Sequence, residues 1–185
     1  MYHNVILVLI GGCLTLCGCT SEKHAEPQQT IPAITLSAVE KAKLQAFQKE
    51  ILSIENLTDT AVKLAGDELM NFIKSGGTPV NLPAVIDAAK AECLTAGRSL
   101  ATKAVPEGLP PEVKTLLGAG ISGLVAAYTA YGESFGAIKS FVSDKDPMAL
   151  FEYRKKNAQA RELYTKASDT LTSIMKAAGI STSPL

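Results

Sequence analysis

Histidine and tryptophan are scarce in this chain. Its 185 residues contain no tryptophan and two histidines, His3 and His24, both near the N-terminus. Histidine is the commonest metal ligand and a frequent general base, so the rest of the chain can form neither a histidine-containing metal site nor a Ser-His or Cys-His pair. No other activated acid, base or nucleophile stands out. The sequence therefore predicts a protein that is not an enzyme and binds no metal or cofactor.

An excess of charge of either sign is also missing. The 18 lysines and arginines balance the 18 aspartates and glutamates, so the formal net charge is zero. Recognition of nucleic acid depends on a basic surface that neutralises phosphates. The charge balance predicts that nucleic acid is not a partner.

The N-terminal residues carry the most specific motif. An apolar run over residues 5–16 ends in Leu16-Cys17-Gly18-Cys19. Because about 20 apolar residues are needed to cross a bilayer, the run fits a signal-peptide core better than an uncleaved membrane helix. Leu16 to Cys19 resemble the lipobox of bacterial lipoprotein precursors, whose final cysteine becomes the acylated N-terminus. Cys13 is a second candidate, but it leaves a much shorter apolar core.

The resemblance implies cleavage after Gly18 and lipidation of Cys19, which would anchor the chain in a membrane. Residues 1–18 are then a signal peptide, and residues 19–34 form a lipidated tether whose polar composition predicts flexibility. Thr20 stands where an aspartate is associated with inner-membrane retention in such proteins. We therefore expect the cell envelope, and the periplasmic face of the outer membrane if the bacterium is Gram-negative.

Processing would leave a single free cysteine. Cys13 and Cys17 depart with the signal peptide and Cys19 is acylated, so no disulfide framework is expected. The remaining Cys93 lies on an apolar helical stripe. Its expected role is that of a small buried hydrophobe, and the alternative is a reactive or cross-linking thiol.

Four segments show apolar residues at spacings of three and four, and none shows the two-residue alternation of a strand. The stripe from Leu44 to Phe72 predicts a helix over about 37–75 with a kink near residues 56–60. Three further helices are predicted, one after Asn81, one over about 111–143 and one from Pro147. Their short connections favour an all-α, up-down four-helix bundle over residues 35–180, with a tail at 181–185.

Several residues mark the predicted helix ends. Ser37 with Glu40 has the pattern of a capping box. Asn81 and Asp146 are candidate N-caps, each followed closely by a proline. Gly179, with an apolar residue after it, is typical of a Schellman stop.

Two features of the third helix each allow two interpretations. Gly118-x-Gly120-x-x-Gly123 matches the dinucleotide fingerprint but has no strand before it, so close helix packing is favoured. The stretch Thr115 to Gly132 contains no charged residue, and a second small residue, Gly136, follows Gly132 at the spacing of helix-pairing motifs. The central helix of a bundle is the favoured interpretation, and insertion into a membrane is the alternative.

The most basic surface is expected on the fourth helix, at Arg154, Lys155 and Arg161. Solvated surface charge is its ordinary interpretation, and a patch for anionic lipid headgroups or an acidic partner is the alternative. The sequence predicts a membrane-anchored interaction module with a protein partner in the envelope. The alternative is a carrier or sensor of an apolar small molecule, which would need an enclosed apolar cavity of about 300 Å³.

Overall fold

A computed structural model describes residues 33–75, 77 and 80–181. Within them the chain forms four α-helices, α1 (Ala38–Ser75), α2 (Leu82–Ala101), α3 (Pro111–Asp144) and α4 (Pro147–Ala177), and no strand. The predicted all-α four-helix bundle is confirmed. The lipobox, the signal peptide, most of the expected tether and residues 182–185 lie outside the described residues.

Each helix packs against the next one along the chain, and the connections between them are short, so consecutive helices run in opposite directions. The Phe72 ring near the end of α1 lies 5.9 Å from the Phe141 ring near the end of α3. At the opposite end, the Ile34 amide donates to the Ala177 carbonyl at 3.0 Å. We call the end with residues 75, 80–82 and 144–147 the distal end. The end with residue 33 and the connection 102–110 is the proximal end.

Three helix ends form as the sequence predicts. The Ser37 amide donates to Glu40 Oε2 at 2.7 Å and the Glu40 amide donates to Ser37 Oγ at 3.3 Å, which completes the capping box. Asp146 Oδ1 accepts a hydrogen bond from the Met148 amide at 2.9 Å. Gly179 adopts φ +67°, and the next amide donates back into the last turn of α4 at 2.9 Å, as in a Schellman stop.

The predicted side-chain cap at Asn81 is wrong. Asn81 precedes α2, but its backbone is helical, with φ −88° and ψ −11°, and its side chain makes no capping hydrogen bond. A capping side chain reaches the free amides from an extended backbone, so the helical backbone explains the missing bond. In α1, the helix continues without a break through residues 56–60, where the sequence predicted a kink.

The bundle core is apolar over most of its length. Cys93 is fully buried, as predicted, and this burial raises the pKa of its thiol to about 12. The largest fully buried side chains come from all four helices and are Leu44, Ile51, Leu82, Ile86, Leu100, Val113, Leu117, Leu124, Ile138, Leu171, Ile174 and Met175.

Cys93 should react slowly with a thiol reagent in the native protein and quickly in concentrated guanidinium chloride. The thiolate is the reactive form, and both burial and the raised pKa suppress it in the fold. The absorbance of a released aromatic thiol follows both reactions, and the denatured sample is the internal control. Equal rates in the two states would remove Cys93 from the core.

Glycines let α3 approach its neighbours closely. A Cβ atom on Gly120 would lie 2.7 Å from Leu171 Cδ2, and one on Gly123 would lie 2.8 Å from Ala167 Cβ. Both distances are shorter than a normal carbon contact of about 3.5 Å. The packing interpretation is therefore confirmed at Gly120 and Gly123, whereas a Cβ on Gly118 would meet nothing within 4 Å, and the motif lies inside a helix.

Among the described residues, one helix is long and apolar enough to cross a membrane. It is α3, with a mean hydropathy of 1.3 in its most apolar window. The core helix of a bundle meets the same criterion, and α3 packs against both α2 and α4. This packing supports the central-helix interpretation of Thr115 to Gly132.

Candidate functional site

Four large apolar side chains are exposed at the distal end of the bundle. Val80 is fully exposed, Met148 is 68% exposed and Phe151 is 63% exposed, and Ile73 near the end of α1 is about half exposed. Single exposed apolar residues are common on protein surfaces, whereas several at the same end of a bundle form a candidate interaction site. We call Ile73, Val80, Met148 and Phe151 the distal apolar group.

The distal apolar group lies outside a core that is already closed. Beneath it, the Phe72 and Phe141 rings pack edge to face, and Lys145 Nζ lies 4.1 Å above the centre of the Phe72 ring. Lys145 itself ends α3 in a left-handed conformation with φ 58°. The exposed apolar residues are thus additional to those that close the core.

Two of the three predicted basic residues adjoin this group. Arg154 and Lys155 are exposed and follow Phe151 by three and four residues, which places them on the same face of α4. Arg161 lies about two turns further along and is partly buried, close enough to Tyr131 for its charge to influence the tyrosine. The structure therefore separates Arg161 from the other two.

A polar group that sequence reasoning missed lies in the middle of the bundle. Glu55 of α1 is only 3% exposed, and no well-formed hydrogen bond reaches either carboxylate oxygen among the described residues, although the Tyr164 and Tyr128 hydroxyls lie near them. Burial, followed by the nearby charge of Asp59, raises the pKa of Glu55 to about 7, against the opposing effect of the Tyr164 and Tyr128 hydroxyls. The Glu55 carboxyl is therefore mostly uncharged below neutral pH.

Tyrosines from α3 and α4 surround Glu55. The Tyr128 ring is 6.2 Å from the Tyr164 ring, edge to face, and 6.5 Å from the Tyr131 ring. The buried Tyr128 hydroxyl likewise makes no well-formed hydrogen bond among the described residues, although it lies near the Glu55 carboxyl. Burial raises the pKa of Tyr128 and Tyr164 strongly, and that of Tyr131 to about 12. We call Glu55, Tyr128 and Tyr164 the buried polar cluster.

The sequence did contain a signal for Glu55. Glu55 follows the stripe residue Ile51 by four positions and precedes the stripe residue Thr58 by three, so helical periodicity places Glu55 on the buried face of α1. The predicted stripe from Leu44 to Phe72 takes the apolar Ile54 at this turn, and the structure leaves Ile54 partly exposed.

A surface groove of about 340 Å³ runs between α2, α3 and α4. Gly132 and Gly136 contribute to it from α3, and Lys156 beside it is paired with Glu133 at 3.2 Å and with Glu152 at 3.4 Å. A carrier of an apolar molecule needs an enclosed and mainly apolar cavity. This open groove, with four charged residues in its lining, does not have that character.

The described residues contain no group of three or more histidine, cysteine, aspartate or glutamate side chains that could hold a metal ion. Comparisons of the chain with protein-family models, with curated proteins and with solved structures found no match.

Proposed function

We propose that this chain is a lipid-anchored, non-enzymatic interaction module of a bacterial envelope that docks a protein partner on its distal apolar group. The observation that carries the proposal is the exposure of Ile73, Val80, Met148 and Phe151 at the end of the bundle opposite residue 33. The resemblance of Leu16 to Cys19 to a lipobox supports the anchor.

The geometry of the bundle favours a protein over the anchoring membrane as the occupant of the distal apolar group. The 38 residues of α1 span about 57 Å at 1.5 Å per residue. A chain held through Cys19 enters the bundle at its proximal end, so the distal group is presented away from the point of attachment. Apolar residues that served the same membrane would be expected near that point instead.

The charges beside the distal apolar group indicate the chemistry of the partner. Arg154 and Lys155 lie next to Phe151 on the exposed face of α4. Protein interfaces combine an apolar centre with a polar rim, and complementary charges on the rim guide association. We therefore expect the partner to present apolar side chains with carboxylates beside them.

The proposed anchor has a direct test in Cys19→Ser. Only a thiol accepts the diacylglyceryl group in the pathway that the lipobox resembles, so the variant should stay unprocessed and unlipidated. Mass measurement of the purified protein together with metabolic labelling by a fatty acid would show this. A variant that is labelled as strongly as the wild type would point to Cys13 or refute the anchor.

The docking site has a test in two pairs of matched substitutions. Val80→Asp and Phe151→Asp place a charge in the distal apolar group, whereas Val39→Asp and Leu57→Asp place one at exposed positions of α1 outside it. Desolvating a carboxylate costs more than the 1.4 kcal/mol that corresponds to a tenfold weaker complex. We expect at least a tenfold loss of binding, about 1.4 kcal/mol, for the distal pair alone.

The measurement is quantitative co-purification of the protein that accompanies the wild-type chain from detergent-solubilised envelopes. All four variants must retain the wild-type circular dichroism spectrum. Equal losses in both pairs, or none in the distal pair, would refute docking at the distal apolar group. Loss of binding to lipid vesicles, with the protein complex intact, would refute the choice of a protein partner.

A further inference from the structure

We infer that Glu55 is a proton-operated latch. The middle of α1 stays packed against α3 and α4 while the Glu55 carboxyl is protonated, and it is released when the carboxyl ionises. This inference is independent of the proposed docking function. It rests on the position of one carboxyl group, only 3% exposed, at the junction of three helices and beside the Tyr128 and Tyr164 hydroxyls.

The ends of α1 are held by contacts that do not involve Glu55. At the proximal end, Lys43 Nζ donates to the Glu107 carbonyl at 2.7 Å, and Lys103 Nζ pairs with Glu50 Oε2 at 2.9 Å. At the distal end, Phe72 packs against Phe141. These contacts can persist while the middle of the helix moves.

The middle of α1 presents polar atoms to the rest of the bundle. Along α1, the buried Gln48, Glu55 and Thr58 recur at spacings of seven and three residues, so they share one face of the helix. No well-formed hydrogen bond reaches the Gln48 Nε2 atom or the two Glu55 oxygens among the described residues, although the Tyr128 and Tyr164 hydroxyls lie near the carboxyl. A buried polar group that lacks a well-formed hydrogen bond opposes packing, so these two residues weaken the attachment of this part of α1.

A neutral carboxyl group can remain in this position, but a carboxylate is opposed by its surroundings. Burying an ion without a counter-ion is far more costly than burying the neutral acid. Asp59, one turn along α1, adds further negative charge, while Arg161 acts on Tyr131. Among the described residues, the groups that act on Glu55 are Asp59 from α1, Tyr128 from α3 and Tyr164 from α4. Behind them, Cys93 from α2 acts on Tyr128, Tyr131 from α3 acts on Tyr164, and Arg161 from α4 acts on Tyr131.

The surroundings of Glu55 determine whether rising pH attaches or releases the middle of α1. Release of the middle of α1 would expose Glu55 to water, where its pKa returns toward the ordinary value of 4.5 from about 7. Ionisation therefore favours the released state, and rising pH opens the latch. The tyrosine rings of α3 and α4 would lose their cover at the same time, which provides a second signal.

The test is hydrogen exchange of the full mature chain in detergent, at about pH 5.5 and about pH 8.5, corrected for intrinsic exchange. With the two pKa values above, amides of residues 52–62 should lose about thirtyfold in protection, whereas those of the α3 and α4 cores should not. Glu55→Gln should show no such loss. Glu162→Gln, at an exposed position of α4, is the matched control and should behave as the wild type.

Wild-type protection that does not change with pH, or the same change in Glu55→Gln, would overturn the latch. A measurement on the wild-type chain covers the case in which the variant does not fold. The carboxyl carbon of Glu55 and the ring signals of Tyr128 and Tyr164 should titrate with one midpoint near 7 by nuclear magnetic resonance. Ring signals that move while the carboxyl does not titrate would also overturn the latch.

Discussion

The free energy of unfolding of the wild-type chain should fall by about 3 kcal/mol relative to that of Glu55→Gln as the pH rises from below 4.5 to above 7. The folded protein binds a proton at Glu55 up to about pH 7, whereas the unfolded chain releases it near 4.5. The stabilisation is therefore complete below 4.5 and is lost as the pH passes through the folded-state pKa.

Urea unfolding followed by circular dichroism, repeated across this pH range, measures the difference. The capping box and the pair of Glu107 with Lys114 lower the pKa of Glu40 and Glu107, which makes the fold more stable as the pH rises. Both proteins share these effects, so the comparison with Glu55→Gln cancels them. If the free energies of unfolding of the two proteins changed with pH in parallel, the fold would not favour the protonated form of Glu55, and the prediction would be wrong.

Gly123→Ala should destabilise the bundle by about 1–3 kcal/mol, the usual range for overpacking. The added Cβ would lie 2.8 Å from the Ala167 Cβ, which is fixed to the α4 backbone and can move only if the helix moves. Gly120 differs, since the atom that a Cβ would meet is the flexible end of Leu171. Gly123 is therefore the position where α3 and α4 have the least freedom to adjust.

Gly118→Ala is the matched control for Gly123→Ala. It lies in the same helix and the same glycine motif, but a Cβ there would meet nothing within 4 Å. Its effect should be that of helix propensity, a stabilisation of up to about 1 kcal/mol. Thermal midpoints of both variants, with and without a dinucleotide, measure the effects. A loss of stability at Gly118, or none at Gly123, would contradict the packing, and a nucleotide-dependent shift would revive the fingerprint interpretation.

Local patterns in the sequence predicted most of the fold. The capping box at Ser37, the cap at Asp146 and the Schellman stop at Gly179 each depend on neighbouring residues, so they could be predicted without tertiary contacts. The failure at Asn81 has the opposite origin, because the backbone conformation of a connection depends on how two helices meet. The predicted buried face of α1 includes Ile54 and not Glu55, because apolar residues are favoured at buried positions. This helix turn is an exception to that preference.

Less of the candidate site could be predicted. The basic residues Arg154 and Lys155 stand out in the sequence by charge alone. In contrast, Val80, Met148 and Phe151 resemble core residues until the connections at the distal end are positioned in space. Their exposure depends on which helix ends meet, and this information is tertiary. The buried polar cluster likewise joins residues from three helices that are far apart in the chain.

Site-specific photo-crosslinking in intact cells of the source organism tests docking at the distal end most directly. A photoreactive amino acid would replace Phe151 in one strain and Leu57, which is equally exposed on α1, in another. We expect one protein adduct of defined mass from position 151, lost when Val80→Asp is added, and none from position 57. Adducts from position 57 alone, or lipid as the sole product at position 151, would contradict a distal protein-docking site.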